Sequence, residues 1–254
     1  MSGITAALED GLLILIMDEP ERRNPLGHQV RLRMVRHLSD AERDPAVRAV
    51  VLTGAGGNFS AGGDIRDQKA IASIAEARDR FAVVKDLIGR MVRFPKPLVS
   101  AVEGWAAGAG FGVALACESV VAAETAHFVS SFGKIGLIPD MGLLATLPAR
   151  IGAGRAQRIF LTSAAIDAKE GERLGFVDVR VSEGEALAKA KAIALEAAST
   201  APLPRAYVKD FLAQEVDRAL EFEHLIQPTL LRSADAVEGR AAFFEKRAPI
   251  FWGE

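Results

Sequence analysis

The chain of 254 residues is poor in the groups from which disulfides, metal sites and nucleic-acid surfaces are made. Its single cysteine, Cys117, excludes an intramolecular disulfide and any multi-cysteine metal site. Lying in an apolar run, that residue reads as a small buried side chain. The four histidines, His28, His37, His127 and His224, are widely spaced and form no metal-ligand pattern. No Gly-Lys-Ser/Thr phosphate loop occurs, and Ser60 does not sit in a Gly-x-Ser-x-Gly elbow. Lys and Arg (31) nearly balance Asp and Glu (33), giving a net charge of −2, and the basic residues are scattered singly or in pairs. A nucleic-acid partner, which needs a concentrated basic face, is therefore not expected. The first long apolar run, Leu12 to Met17, is strand-length, too short for a signal peptide or a membrane span. The expected setting is cytoplasmic, with no membrane partner.

What is present is ordinary globular chemistry: half of the residues are hydrophobic and a quarter charged. Strand-length runs rich in Val, Ile and Leu occur at Leu12–Asp18, Ala49–Thr53, Leu98–Val102 and Ser119–Ala123. Helical stretches lie between them at Gly27–Arg43, Ile74–Phe94 and Gly108–Glu118. This alternation predicts an α/β fold with parallel strands and crossover helices. After Glu183 four helical segments follow, at Gly184–Ser199, Leu203–Glu215, Asp217–Ser233 and Ala234–Arg247, without another strand-like run. A boundary near residue 195 separates an α/β core (1–195) from a helical tail (196–254). The tail carries Phe211, Leu212, Phe222, Leu225, Ile226, Leu230, Leu231, Phe243, Phe244, Ile250, Phe251 and Trp252. That apolar surface is more than its helices can cover alone, so it is expected to meet the core or another subunit.

Three segments could carry chemistry. In Val50–Ile65, VVLTGAGGNFSAGGDI, a buried-strand run enters glycine-rich turns that let backbone N–H groups approach a ligand. In Pro97–Cys117, a strand and turn lead into a helix opening at Gly108-Ala109-Gly110, where free N–H groups and the positive dipole end suit an oxygen bearing negative charge. The competing dinucleotide fingerprint fails, because Val113 stands where its third small residue belongs; at Gly152-Ala-Gly154, Gln157 stands there. In His127–Leu144, Asp140 follows Pro139 among Leu137, Ile138, Met141, Leu143 and Leu144. Such a carboxylate is either a helix N-cap or a group whose pKa is raised by desolvation.

Taken in order, these segments resemble the crotonase (enoyl-CoA hydratase/isomerase) superfamily nearly end to end. PERRNPL (Pro20 to Leu26) is similar to its coenzyme A entry loop, which implies coenzyme contacts at Arg22 and Asn24. The resemblance maps the two oxyanion donors onto the N–H groups of Gly63 and Ala109, with Ala61, Asp64 and Ile65 beside the coenzyme. The terminal AAFFEKRAPIFWG resembles the family's last helix, placing Phe243 and Lys246 near the coenzyme of an adjoining site. The fold so implied is a spiral of ββα units followed by a helical trimerisation region, in a homotrimer or a dimer of trimers. Family hydratases use two glutamates, and those positions fall at Gly112 and Phe132, neither of which can transfer a proton. Asp140 falls where dienoyl-CoA isomerases and the ring-epoxide isomerase of phenylacetate breakdown carry a catalytic aspartate, and SFGKIGLIPD resembles the latter in particular. Met141-Gly142-Leu143 replaces the usual glycine pair after it. The expected function is double-bond isomerisation of an enoyl-CoA, with Asp140 as proton shuttle, and no metal or redox cofactor. Coenzyme A arrives as part of the substrate. Hydratase-like, hydrolase or lyase chemistry on the same scaffold, or a non-catalytic acyl-CoA binder, are the alternatives.

Overall fold

The computed structural model describes residues 3–254, with Lys69 described by its backbone alone. The chain opens on an antiparallel hairpin, β1 (Gly3–Glu9) and β2 (Leu12–Asp18), turned by Asp10 and Gly11 at φ 49° and 82°. A 3-10 turn over Pro20–Arg22 leads to α1 (His28–Arg43), β3 (Ala49–Gly54), α2 (Ile65–Lys69) and α3 (Ile74–Arg93). The chain then winds in turns that each hold two strands. β4 (Leu98–Val102) bends into β5 (Trp105–Ala107) before α4 (Ala109–Ala116). β6 (Ser119–Ala123) bends into β7 (His127–Val129), then a 3-10 helix over Phe132–Ile135, α5 (Leu143–Ile151) and α6 (Ala153–Thr162). β8 (Ala165–Asp167), α7 (Ala168–Leu174), β9 (Val179–Val181) and α8 (Ala186–Ala198) complete the spiral. Beyond them lie α9 (Pro202–Leu212), α10 (Gln214–Leu230) and α11 (Ala234–Glu245).

The long sheet has the order β1-β2-β3-β4-β6-β9 and is parallel apart from the opening hairpin. A second sheet, β5-β7-β8, is prolonged by the bridges Ser60–Ala106 and Leu26–Gly63. The corner from β4 to β5 is Gly104, at φ 53°, where an added Cβ would lie 2.3 Å from the Gly57 carbonyl oxygen. On the outer face of the long sheet, α8 buries Ala186, Ala190 and Ala194, one small residue per turn, against Val51, Val99, Ala101 and Val121. This spacing lets the helix lie close to the strands. The opposite face holds the larger core, including Phe59, Phe94, Phe111, Phe128 and Phe176.

The expected α/β core and helical tail are both present, and no element after Val181 is a strand. The structure adds β1 and the three-residue strands β5, β7, β8 and β9, which are too short to show a period, and it makes β1 antiparallel to β2. Among the described residues no helix is long and apolar enough to cross a membrane. α10 packs along α3, burying Val216 and Leu220 on one side and Phe81, Val84, Leu87 and Ile88 on the other. Arg93 at the end of α3 ties the pair to the tail, reaching Asp210 at 2.9 Å and Asp217 at 2.8 Å. α9 instead leaves Leu203, Tyr207, Val208, Phe211 and Leu212 exposed.

A chain ending at Ser199 would uncover the α3 face. It is expected to aggregate, whereas the whole chain stays dispersed; size-exclusion chromatography with light scattering compares the two.

Candidate active site

Two backbone segments meet at the centre of the molecule. The Ser60 N–H donates to the Trp105 carbonyl at 2.8 Å, and the Ala107 N–H donates to the Ser60 carbonyl at 2.9 Å. Gly62, at φ 97°, lies so close that an added Cβ would sit 2.6 Å from the Ala107 carbonyl oxygen and 3.4 Å from the Ala109 nitrogen. On the other side, a Cβ at Gly110 would be 2.8 Å from that of Ser60. This contact brings Gly62, which precedes Gly63, up to the Ala109 nitrogen. Among the described residues, neither the Gly63 nor the Ala109 N–H has a hydrogen-bond acceptor. Ala109 is also the first residue of α4, a helix buried along its whole length, so its N–H stands at the positive end of the helix dipole.

The loop before α1 closes over the first segment. Arg22 donates to Glu19 and to Asp64, both at 2.7 Å, and Asp64 caps α2 by accepting the Arg66 N–H at 3.0 Å. Arg23 and Asn24 both adopt positive φ, 56° and 57°. The Asn24 side chain is buried: its amide donates to the carbonyls of Ala55 (2.9 Å) and Asn58 (2.7 Å) and accepts the Glu19 N–H (3.0 Å). With its donors and acceptor so engaged, Asn24 shapes the loop and does not offer its amide to a coenzyme. Ala61 is exposed at the loop edge and Ile65, half-buried, opens α2. Phe243 and Lys246 stand at the end of α11, with Phe243 exposed and stacked edge-on to Phe244.

Asp140 is not a helix cap. The N-cap of α5 is Gly142, at φ 72°, and Asp140 engages that turn only through its carbonyl, which accepts the Leu143 N–H at 3.2 Å. Its side chain is buried. Oδ2 accepts from Gln227 Nε2 at 3.2 Å, while Oδ1 has no partner among the described residues. Burial pushes this carboxyl up to about 6, although the Arg31 charge and the Gln227 hydrogen bond pull against the rise. Gln227 is itself locked, donating to the Ile138 carbonyl at 2.8 Å and accepting the Ile138 N–H at 3.2 Å. One turn earlier on α10, Glu223 accepts the Gly142 N–H on both oxygens at 3.2 Å. Burial first and the neighbouring Asp140 charge second push Glu223 up to about 9, so it carries its proton at neutral pH.

Of the two positions that the resemblance assigns to the family's glutamates, one has no room for a side chain and the other holds an apolar ring. Gly112, on α4, faces the Asp140 turn: an added Cβ would lie 2.5 Å from that of Met141 and 3.0 Å from the Asp140 carbonyl oxygen. At the other, the Phe132 ring is buried and reaches to 3.9 Å from where a Cβ on Gly108 would stand. Glu103, another acid near the glycine-rich segments, is engaged elsewhere. It accepts the N–H groups of Gly184 and Ala186 at the start of α8.

Sequence reasoning missed Arg31, Glu223 and Gln227. Each had a signal. Arg31 falls on the buried stripe of α1 with Met34, Leu38 and Ala41, and Glu223 and Gln227 continue the stripe of Val216 and Leu220 on α10. A polar residue at a core position of an amphipathic helix is the informative observation. Arg31, Asp140, Gln68, Ile71, Leu137 and Leu231 line one narrow cleft beside Gly63.

The family model described as enoyl-CoA hydratase/isomerase matches residues 7–254. A putative enoyl-CoA hydratase of Thermus thermophilus is 37% identical over 244 residues, covering 94% of this chain and 96% of that protein. The 1,2-epoxyphenylacetyl-CoA isomerase of Escherichia coli is 33% identical over 264 residues and is covered over its full length, 100% of both chains. Among solved structures, an enoyl-CoA hydratase from Mycobacterium avium subsp. paratuberculosis superimposes with a TM-score of 0.89 at 31% identity, over 99% of each chain.

Two measurements probe this geometry. Gly112→Glu, which restores a glutamate in sequence, is expected to cost about 1–3 kcal/mol or more in urea unfolding, since the turn at Met141 must move. It is not expected to create a hydratase. The second concerns pH. Asp140 and Glu223 hold protons in the folded state at pH values where the unfolded chain, at ordinary values of 3.8 and 4.5, has released them. Their contribution to stability is complete below about pH 4 and is lost as pH rises through the folded values. Stability should therefore fall from about pH 4 to 9, by at most about 1.4 kcal/mol per pH unit for each proton. Glu223→Gln should flatten the part of that slope between about pH 6 and 9.

Proposed function

The chain belongs to the enoyl-CoA hydratase/isomerase family of the crotonase superfamily, and we propose that its reaction is a one-base shift of a carbon–carbon double bond within an enoyl-CoA thioester. The observation that carries this reading is Asp140 Oδ1, a buried carboxylate oxygen without a partner among the described residues, in a site whose two glutamate positions are Gly112 and Phe132. Water addition needs one group to activate water and another to deliver a proton. Neither glycine nor phenylalanine does either. Several relatives are named hydratases, and this departure separates the chain from a two-glutamate mechanism.

In the proposed reaction the thioester carbonyl oxygen lies between the N–H groups of Gly63 and Ala109. Asp140 takes a proton from the carbon next to the thioester. The electron pair of that C–H bond moves into the π system, and the negative charge gathers on the carbonyl oxygen. Preorganised N–H donors favour this state over the ground state, and removing one such donor typically costs about 2.7–4 kcal/mol of barrier. Asp140 then returns the proton to the γ-carbon, which moves the double bond into conjugation without change of oxidation state. A carboxyl raised to about 6 by burial is a stronger base than an ordinary carboxylate, and it is still largely ionised at neutral pH. Coenzyme A enters and leaves with the acyl group, and Arg22, Asp64 and the loop they close lie at the proposed coenzyme entry. The exposed apolar face of α9, with Phe222 and Leu225 on α10, supports assembly as a homotrimer or a dimer of trimers.

Exchange of the thioester's α- and γ-protons with deuterated solvent, followed by NMR, reads the proposed chemistry. The parent protein is expected to exchange both positions, with a rate that rises through about pH 6 as Asp140 ionises and then levels off. Asp140→Asn should lower exchange by at least about a hundredfold. Exchange as fast in the Asn variant as in the parent, or efficient hydration of crotonyl-CoA that survives the substitution, would sink the assignment.

A further inference from the structure

The start of α4 has a polar neighbour that the proposed reaction does not use. Gly108, the residue before Ala109, opens the helix at φ 49° and ψ −118° and, having no side chain, caps none of its N–H groups. Leaving aside the adjoining residues, two atoms lie within 4 Å of where a Cβ on Gly108 would stand: Ser131 Oγ at 3.3 Å and the tip of the Phe132 ring at 3.9 Å. The resemblance puts Phe132 at a glutamate position, which sets this point at the reacting end of the proposed site. Ser131 is half-buried, and its hydroxyl has no hydrogen-bond partner among the described residues. Its backbone is fixed from both sides. The Gly108 N–H donates to the Val129 carbonyl at 2.8 Å, and the Ser131 carbonyl accepts the Lys134 N–H at 3.1 Å as the 3-10 helix begins.

A serine at the start of a helix ordinarily accepts from the free N–H groups of the first turn. Here the hydroxyl comes from beyond the end of β7 and makes no such bond, so the Ala109 N–H stays open. The room that a Cβ on Gly108 would fill is left between Ser131 Oγ and the first turn of α4. A hydroxyl has one donor proton, which rotates to meet whichever oxygen arrives. Ser130 carries the same group one residue earlier, buried and likewise without a partner among the described residues, and so supplies an internal comparison.

We infer that Ser131 is a further catalytic residue of the thioester site, its hydroxyl being a third donor to the carbonyl oxygen held by the Gly63 and Ala109 N–H groups. This inference rests on the reading of those two groups as an oxyanion pair, and it concerns the oxygen alone, whatever the acyl group. When the α-proton leaves, the electron pair of the C–H bond moves into the π system and charge gathers on that oxygen. No bond to Ser131 forms or breaks, and the hydroxyl keeps its proton. A hydrogen bond to a charged acceptor is about twice as strong as a neutral one, so the contact tightens as the charge develops. It therefore acts on rate more than on binding.

The test reads the carbonyl itself. Hexanoyl-CoA labelled with carbon-13 at the thioester carbonyl is saturated, so its bound spectrum does not depend on the proposed double-bond shift. With the whole chain, its carbonyl stretch, followed by isotope-edited infrared spectroscopy, is expected to move to lower frequency on binding. Ser131→Ala should return the band part of the way to its free position and lower exchange of enoyl-CoA α-protons with solvent at least about tenfold, the scale of one hydrogen bond to a charged acceptor. Thioester affinity should stay within about threefold. Ser131→Thr, which keeps the hydroxyl, should retain both band and rate, and Ser130→Ala should change neither. A band and a rate in Ser131→Ala equal to those of the parent would overturn the inference. Equal losses in Ser131→Ala and Ser130→Ala would overturn it too, because the hydroxyls would then serve the fold. If Ser131→Ala does not fold, Ser131→Cys decides: a weak donor of similar shape, it must give an intermediate band, and the parent's band would overturn the inference. No shift in the parent would remove the oxyanion reading and this inference together. A shift that Ser131→Ala diminishes, in a chain that exchanges no protons, would remove only the isomerase reading.

Discussion

Two stretches of backbone, Ser60–Gly63 and Trp105–Gly110, lie closer together than side chains would permit, and the site follows from that contact. Gly62 and Gly110 face the opposing segment at distances that a Cβ would violate, and paired hydrogen bonds between Ser60 and the Trp105–Ala107 strand hold them there. Because one segment is a strand of the second sheet and the other is bridged to it, the rigidity of the sheet is passed to two N–H groups that have no acceptor among the described residues. The loop Pro20–Leu26 is bound to the same place. The Ala61 N–H donates to the Arg23 carbonyl, the Leu26 N–H to the Gly62 carbonyl, and the Ser60 hydroxyl to the Asn24 carbonyl. The loop Pro20–Leu26 and the glycine-rich segment Ser60–Gly63 are therefore one mechanical unit. A disturbance of Asn24 would be felt at Gly63.

The helical tail completes the site from the other side. α10 reaches over α3, and its last two turns bring Glu223 and Gln227 to the turn that carries Asp140. The expected boundary near residue 195 falls inside α8 (Ala186–Ala198), which packs on the long sheet, and the groups that orient Asp140 come from beyond that boundary. Gln227 binds both the Ile138 peptide and Asp140 Oδ2, which fixes one oxygen, while Oδ1 has no partner among the described residues. Its amide acts as a positioning group, through Asp140.

Much of this was legible in the sequence, for physical reasons that differ by element. Ala49–Gly54 and Leu98–Val102 are buried on both faces, so they read as unbroken apolar runs, and α1 and α3 are long enough to show their period. β5, β7 and β8 hold three residues each and exist because their neighbours pair with them, which no local pattern encodes. The donor loops could be placed on Gly63 and Ala109 by resemblance, but the cause of their approach, the missing Cβ atoms at Gly62 and Gly110, appears only in three dimensions. Asp140 was ambiguous between cap and buried acid. The choice turns on Met141 and Gly142 both taking positive φ, which moves the start of α5 past the carboxylate. The Asn24 side chain faces inward for a similar reason: positive φ at Arg23 and Asn24 turns the amide toward the Ala55 and Asn58 carbonyls.

Two carboxyl groups lie close together here, and their environments drive them apart in acidity, a pattern that elsewhere marks an acid–base pair. The geometry argues for a different division of work. Glu223, raised to about 9, has both oxygens on the Gly142 N–H and none turned to the cleft, so it has no route to a substrate carbon. Its effect on chemistry is electrostatic. By staying protonated at neutral pH it keeps a second negative charge away from Asp140, and that carboxyl can ionise near 6 instead of higher. Arg31 adds the opposite influence from across the cleft, favouring the ionised form without forming a contact that would occupy Oδ1. Desolvation alone would make Asp140 a strong base that is seldom charged; a direct ion pair would make it charged but weak. A neutral glutamic acid on one side and a held-off guanidinium on the other place it between those limits, as the proposed one-base reaction would require of a carboxylate that both takes a proton from carbon and gives it back.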